Sequence, residues 1–103
     1  MTSLKDNILI CDLIDCYKDL LTKHQISILT CYYFDNMSYS EISENFNCSR
    51  QSVQDIIKRT LTKLMEYENK LNLNKLKNQV KSIIKENDIK VVKNKLEKIL
   101  EEF

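Results

Sequence analysis

The sequence predicts an all-α protein with a helix-turn-helix core, one helix before that core and two helices after it. Apolar residues recur at three- and four-residue spacing along the whole chain, and no strand-like alternation is sustained. The chain contains no glycine and no proline, whereas tight hairpin turns and phosphate-binding loops depend on glycine's access to positive φ. At 103 residues, the chain is long enough for one compact domain and too short for two of ordinary size.

The first predicted helix covers about residues 5–20. Its apolar positions follow the spacing of an amphipathic helix. They are Leu4, Ile8, Cys11, Leu13, Ile14, Tyr17 and Leu21.

Two capping boxes mark the beginnings of the second and third helices. Thr22 is followed three residues later by Gln25, and Ser38 is followed by Glu41 in the same way. In such a pair each side chain accepts a hydrogen bond from the other residue's backbone N–H at a helix start. We therefore expect a second helix that ends at about residue 34 and a short third helix over 39–46.

The segment from Tyr39 to Lys58 has the pattern of a helix-turn-helix. Two closely crossing helices need a small residue in the middle of the first, and Ser43 occupies that place. The turn needs one residue in the left-handed conformation, which Asn tolerates better than most residues, and Asn47 stands there. The residues expected to fill the space between the helices are Ile42, Phe46, Cys48, Val53 and Ile56.

The fourth predicted helix begins after Ser49, which is a favourable N-cap, and continues to about residue 71. Residues 49–63 hold four cations against one anion, and they include both arginines of the chain. Bidentate side chains near such a helix start read base edges, and cations one turn further on reach phosphates. The candidate DNA-binding residues are Arg50, Gln51, Gln54, Asp55, Lys58 and Arg59.

The chain changes character after residue 71. We therefore divide it into a helix-turn-helix domain with its leading helix, residues 1–71, and a C-terminal extension, residues 72–103. Polar residues 86–88 separate two predicted helices over about 73–86 and 89–101, and eight lysines stand against five acids from Leu73 onward. The first apolar stripe of the extension comprises Leu73, Leu76, Val80 and Ile83, and the second comprises Val92, Leu96, Ile99 and Phe103. We expect the second stripe to form a homodimer interface, because it exceeds what the small core can cover.

The same residues argue against catalysis. His24 is the only histidine, no cysteine or serine has a recognisable base partner, and the four cysteines form no CxxC pair. We expect no catalytic residue, no metal site and no cofactor. Charged residues interrupt every apolar run before it reaches the length of a membrane span, and no signal-peptide pattern is present, so we expect a cytoplasmic protein with reduced cysteines and no membrane insertion.

Residues 21–68 resemble region 4 of bacterial sigma factors and, more closely, the YlxM family of small bacterial proteins. The resemblance is most specific in SYSEI (38–42), SRQSV (49–53) and IIKRT (56–60), and the leading helix and lysine-rich tail extend it over nearly the whole chain. Ser43 and Asn47 stand where many relatives have Ala and Gly. The resemblance implies a sigma region 4-like fold with Arg50, Gln51, Gln54 and Asp55 facing the bases. It also implies a regulatory role tied to the signal recognition particle pathway.

Two functions remain open at this point. The first is sequence-dependent DNA binding by the fourth helix of a dimer, with a role in transcription regulation. The second is an adaptor in which the helix-turn-helix is only a scaffold and the lysine-rich tail meets protein or RNA components of the signal recognition particle. Residues 22–71 carry six cations and six anions, so a monomer should bind DNA weakly.

Overall fold

The computed structural model describes residues 4–103, with side chains from Asp6 onward. Within this range all regular structure is helical, which confirms the predicted all-α class. The helices are α1 (Leu4–Tyr17), α2 (Lys23–Tyr33), α3 (Tyr39–Asn45), α4 (Arg50–Leu71), α5 (Leu73–Ile84) and α6 (Ile89–Glu101). A short 3-10 helix, Lys18–Leu20, continues α1 in place of the last predicted α-helical turn.

The chain forms two compact units, which divide between Lys70 and Leu71. The first contains α1 to α4 and the hydrophobic core. Its buried apolar residues are Leu13, Ile14, Tyr17, Leu21, Ile28, Leu29, Ile42, Val53, Ile57 and Leu64. The second unit is a hairpin of α5 and α6.

The buried side of α1 differs from the predicted stripe in its first half. Ile8, assigned to the stripe, is 55% exposed, whereas Ile10 packs against the core. At about 100° per residue, Ile8 lies on the opposite side of the helix from Tyr17. Leu13, Ile14 and Tyr17 determine which side of α1 is buried, so the prediction that Ile8 belongs to the buried stripe was wrong. The side chain of Leu4 lies outside the described residues.

Both predicted capping boxes are present. The Gln25 backbone N–H donates to Thr22 Oγ1 at 3.1 Å, and the Thr22 N–H donates to Gln25 Oε1 at 3.0 Å. The pair Ser38 and Glu41 makes the same two bonds, each at 3.1 Å. These bonds satisfy N–H groups that have no partner within the helix, so each helix begins where its capping residue stands.

Tyr17 connects α1 to the second half of α4. Its ring is buried with its centroid 5.8 Å from that of Tyr67, and its hydroxyl donates to Glu68 Oε1 at 2.6 Å. A charge-assisted hydrogen bond of this length is among the stronger side-chain contacts in a protein. Residues of α4 well beyond the helix-turn-helix are thus held in the first unit.

The four cysteines are free and half-buried. Burial and the carboxylates of Asp15 and Asp12 raise the pKa of the Cys11 thiol. Over residues 4–103, no helix combines the length and apolar character that crossing a bilayer requires. Nor do the described side chains contain a cluster of three or more metal-binding groups.

Candidate nucleic-acid interface

The turn between α3 and α4 has the backbone geometry of a helix-turn-helix. Asn47 adopts φ 52°, in the left-handed region, as its position in the sequence predicted. The Cys48 N–H reaches back to the Ser43 carbonyl at 3.0 Å, so the last carbonyls of α3 are satisfied as the chain reverses. The left-handed residue therefore ends α3 and sets the direction in which α4 leaves.

Ser43 allows the close packing expected of the middle of α3. It is 9% exposed, and its hydroxyl donates to the Ser40 carbonyl at 2.7 Å within the same helix. Because the hydroxyl finds its partner locally, a polar residue can be buried here without an unmatched donor.

The space around the turn is filled by the five predicted apolar residues. Ile42 and Val53 are fully buried, and Phe46, Cys48 and Ile56 are half-buried against the core. His24 of α2 lies edge-on to Phe46 with ring centroids 5.6 Å apart. The histidine that had no predicted role thus packs beside the turn.

All six candidate DNA-binding residues lie on α4 within its first ten residues. Arg50, Gln51, Gln54, Lys58 and Arg59 are exposed, and Asp55 is half-buried. At about 100° per residue they occupy one half of the helix circumference. The buried residues of α4 (Val53, Ile57, Thr60 and Leu64) occupy the other half. We call this outward half of α4, from Arg50 to Arg59, the recognition face.

Two residues of the recognition face are already bonded to each other. Gln51 Nε2 donates to Asp55 Oδ1 at 3.0 Å. This bond holds the Gln51 amide with its carbonyl oxygen directed away from Asp55, and it engages the one acid of the face. A base edge that bonds Gln51 must therefore either accept this orientation or replace Asp55 as its partner.

The beginning of α4 is favourable to anions. Ser49 caps it by accepting a hydrogen bond from the Ser52 N–H at 3.0 Å, and the first turn of α4 contains no acid. The exposed N–H groups and partial positive charge of a helix N-terminus attract phosphate. Arg50 stands at this end, so the cation and the helix dipole act in the same direction.

Glu41, in the first turn of α3, is an acid whose pKa is set by its local hydrogen bonds. Hydrogen bonds from the Ser38 backbone N–H and hydroxyl hold the pKa of its carboxyl below the ordinary value. The carboxylate is therefore directed to the N-terminus of α3 and serves as its cap.

Sequence reasoning missed one extension of the face and the left-handed conformation of two further asparagines. Thr62 is exposed on the same side of α4, with its hydroxyl donating to the Lys58 carbonyl at 3.1 Å. Asn36 and Asn72 have φ 54° and 53°, at the ends of α2 and α4. Both stand at predicted breaks between helices, as Asn47 does, but so does Asn87, which is not left-handed. Asparagine at a break is therefore not a sufficient signal by itself.

The predicted dimerisation residues lie in the second unit. Leu96 and Phe103 are exposed, whereas Val92 and Ile99 are half-buried on the side of α6 that meets α5. The stripe is thus divided between the seam of the hairpin and its surface.

The α3-turn-α4 geometry defines a helix-turn-helix protein. Residues 4–103 match the family described as "Putative helix-turn-helix protein, YlxM / p13 like", and the chain belongs to that family. It is 40% identical over 100 residues to a protein of Clostridium botulinum (strain Alaska E43 / Type E3) named "UPF0122 protein", covering 97% of this chain and 84% of the relative. A relative from Clostridium novyi (strain NT) is 43% identical over 97 residues, covering 89% and 84%. One from Bacillus thuringiensis (strain Al Hakam) is 52% identical over 61 residues, covering 59% of this chain and 56% of its own length.

Proposed function

We propose that the protein binds duplex DNA by placing the recognition face of α4 in the major groove, and that it regulates transcription in the cytoplasm in this way. The observation that carries the proposal is the clustering of both arginines and two glutamines of α4 on its exposed half, directly after a helix-turn-helix turn. Arg and Gln pair bidentately with guanine and adenine edges, and a groove-bound helix presents them from its first turns.

The residues of the recognition face divide into two roles along α4. Gln51 and Gln54 lie in the first two turns, where they reach base edges, and Arg50 at the helix start reaches a base or a phosphate. Lys58 and Arg59 lie one turn further on and reach the backbone. Asp55 orients Gln51 through their 3.0 Å bond.

The affinity of one α4 for DNA follows from the number of cations it offers. If Arg50, Lys58 and Arg59 each neutralise one phosphate, the slope of log K against log salt is about −2.7. Binding then weakens roughly fortyfold between about 50 and 200 mM salt. This is a modest dependence, because only three cations contact phosphate.

The test is a fluorescence-anisotropy titration of the full chain with labelled duplexes at two salt concentrations. Lys58→Ala should weaken binding to every duplex and reduce the salt slope by about one. The matched control is Lys63→Ala, because Lys63 is exposed on the same helix but lies about 140° around it from Lys58. Equal loss in both variants would contradict a contact specific to the recognition face.

Base reading is tested separately with Gln51→Ala and Gln54→Ala on a selected duplex and a scrambled one. Each should lower discrimination by about 1–3 kcal/mol, as expected for a lost bidentate pair. The side chains are exposed, so both variants should keep the circular-dichroism spectrum of the parent. Unchanged discrimination would mean that α4 does not read sequence.

The second candidate function is the adaptor for the signal recognition particle. It is favoured by the position of the positive charge, since residues 73–103 carry eight lysines against five acids, whereas residues 22–71 carry six cations and six anions. In that case the parent should show no affinity for duplex DNA even at low salt, and it should bind the particle's RNA or its GTPase in the same titration.

A further inference from the structure

The hairpin of α5 and α6 has one polar edge and one apolar edge. On the polar edge, Lys75 Nζ lies 3.4 Å from Glu102 Oε2, and Lys95 Nζ lies 3.6 Å from Glu86 Oε2 and 2.9 Å from Ser82 Oγ. These contacts fix how the two antiparallel helices face each other. They also give the register of the two helices. A residue of α5 and a residue of α6 lie at the same height along the hairpin when their numbers add up to roughly 177, as those of Ser82 and Lys95 do.

The opposite edge of the hairpin is apolar and exposed. It consists of Leu73, Val80 and Ile84 on α5 and Ile89, Leu96 and Leu100 on α6, each between 42% and 77% exposed. The seam between the helices is formed by the half-buried residues Leu76 and Ile83 on α5 and Val92 and Ile99 on α6. On both helices the exposed apolar residues lie about 60–100° around the helix axis from the seam. In an antiparallel pair this rotation places them on the same side of the hairpin. We call these six residues the apolar face of the hairpin.

The spacing on both helices is that of a helix bundle. Leu73 and Val80 are seven residues apart, as are Ile89 and Leu96, with half-buried residues of the seam between them. A seven-residue repeat of this kind keeps one apolar stripe in line with a neighbouring helix along its length. Each helix of the hairpin therefore carries, beside the stripe that packs in the seam, a second apolar stripe that can pack against another helix.

The area of the apolar face suits a second hairpin. At their observed exposures the six side chains offer roughly 350 Å² of apolar surface per chain, counting about 100 Å² for each fully exposed side chain. Two such faces bury about 700 Å² of apolar surface, so a specific interface of roughly 1,200 Å² also needs contacts from the side chains that flank the face.

Part of the charge that flanks the apolar face is complementary between two copies. The outer border of α5 carries Lys77 and Lys81, and that of α6 carries Lys90 and Lys93 in its first half and Glu97 and Glu101 in its second half. By the register of the hairpin, Lys81 stands at the height of Glu97 and Lys77 near that of Glu101. Within one hairpin these residues lie on opposite outer borders.

We propose that the apolar face pairs with the same face of a second chain to form a four-helix bundle, in which α5 packs over α6 of the partner subunit. A two-fold axis parallel to the helices brings Lys81 opposite Glu97 of the partner subunit at matched height, and every neighbouring pair of helices is antiparallel. This arrangement does not depend on DNA binding and is tested without DNA.

The first experiment is sedimentation equilibrium of the full chain from about 1 to 100 µM, which brackets dissociation constants in the micromolar range. The parent should be dimeric in the upper part of this range. Leu96→Lys should raise the dissociation constant roughly a hundredfold, since two copies of the residue leave the interface. Leu20→Lys is the matched control, because Leu20 is 52% exposed, against 49% for Leu96, and lies in the first unit. A monomeric parent, or equal effects of the two substitutions, would overturn the proposal.

The second experiment tests the pairing of α5 with α6 of the partner subunit. Lys81→Glu should weaken the dimer on the order of tenfold, because like charges then meet at two symmetric positions. Adding Glu97→Lys to the same chain should restore the parental dissociation constant, since the two side chains meet only between chains. Both side chains are exposed, so folding is unaffected. A double variant as weak as the single one would reject this pairing.

Discussion

Replacing Asn47 tests the turn on which the helix-turn-helix depends. Asn47 holds φ 52°, and a left-handed conformation costs an ordinary L-residue roughly 1–2 kcal/mol. Asparagine bears less of this cost than alanine because its short polar side chain tolerates the conformation. Asn47→Ala should therefore destabilise the protein by about 1 kcal/mol, which corresponds to a fall of roughly 4–8 °C in Tm for a domain of this size.

Two further variants make the comparison specific. Asn47→Gly removes the steric cost but loses more backbone entropy on folding, so it should stay within about 0.5 kcal/mol of the parent. Asn69→Ala is the matched control, because Asn69 is exposed inside α4 with helical backbone. At that position alanine is the better helix former, so Asn69→Ala should stabilise the protein by roughly a few tenths of a kcal/mol.

Urea and thermal unfolding followed by circular dichroism give the free energies. The predicted order of stability at position 47 is glycine equal to or above asparagine, with alanine below both. If alanine has the same effect at positions 47 and 69, the left-handed conformation does not set the stability of the turn.

Three other predictions concern the core and two titrating groups. Leu64→Ala should lower the free energy of unfolding in urea by about 2–5 kcal/mol, because Leu64 is fully buried. Met65→Ala should lower it far less, because Met65 is 51% exposed. Similar losses in the two variants would contradict the assignment of the buried side of α4. Since the pKa of Glu41 is held below its ordinary value of 4.5, its capping contribution is present above that pH and is lost as pH falls through the folded-state pKa. Ser38→Ala should raise the pKa of Glu41 only part of the way to its ordinary value, because the backbone N–H of residue 38, which lowers this pKa more than the hydroxyl does, remains. NMR titration measures this pKa. Burial, with the neighbouring Tyr32 and Tyr39, raises the pKa of Tyr33 to about 12, and the pKa of Tyr39 is raised as well. The raised pKa of Tyr33 stabilises the fold below pH 10, and this contribution is lost as pH rises toward 12. A phenolate absorbance titration should therefore lack the signal of Tyr33 until about pH 12 unless the protein unfolds first, and Tyr39 should ionise above its ordinary pKa of 10.

Much of the fold could be predicted because its boundaries are determined locally. A capping box involves residues three apart, so the starts of α2 and α3 could be located from Thr22 and Ser38 alone. The turn at Asn47 was predictable for the same reason, since its conformation depends on one residue and its immediate neighbours.

The buried side of α1 and the hairpin surface could not be predicted in this way. Along α1 apolar residues occur on more than one side, so periodicity alone could not decide between Ile8 and Ile10. Likewise Val92 and Leu96 belong to one stripe in the sequence, and only the contacts of Lys95 with α5 show which of them turns to the seam. Such distinctions depend on which neighbour each helix finds.

The three left-handed asparagines also bear on the chemical ageing of the protein. Asparagine deamidates when the backbone nitrogen of the next residue attacks its side-chain amide, and the reaction is fastest when that next residue is glycine. Asn36, Asn47 and Asn72 are followed by Met, Cys and Leu, and these side chains hinder the attack. Among the described residues, the chain thus has asparagine at its three left-handed positions, and it lacks the Asn-Gly dipeptide at which deamidation would be most rapid.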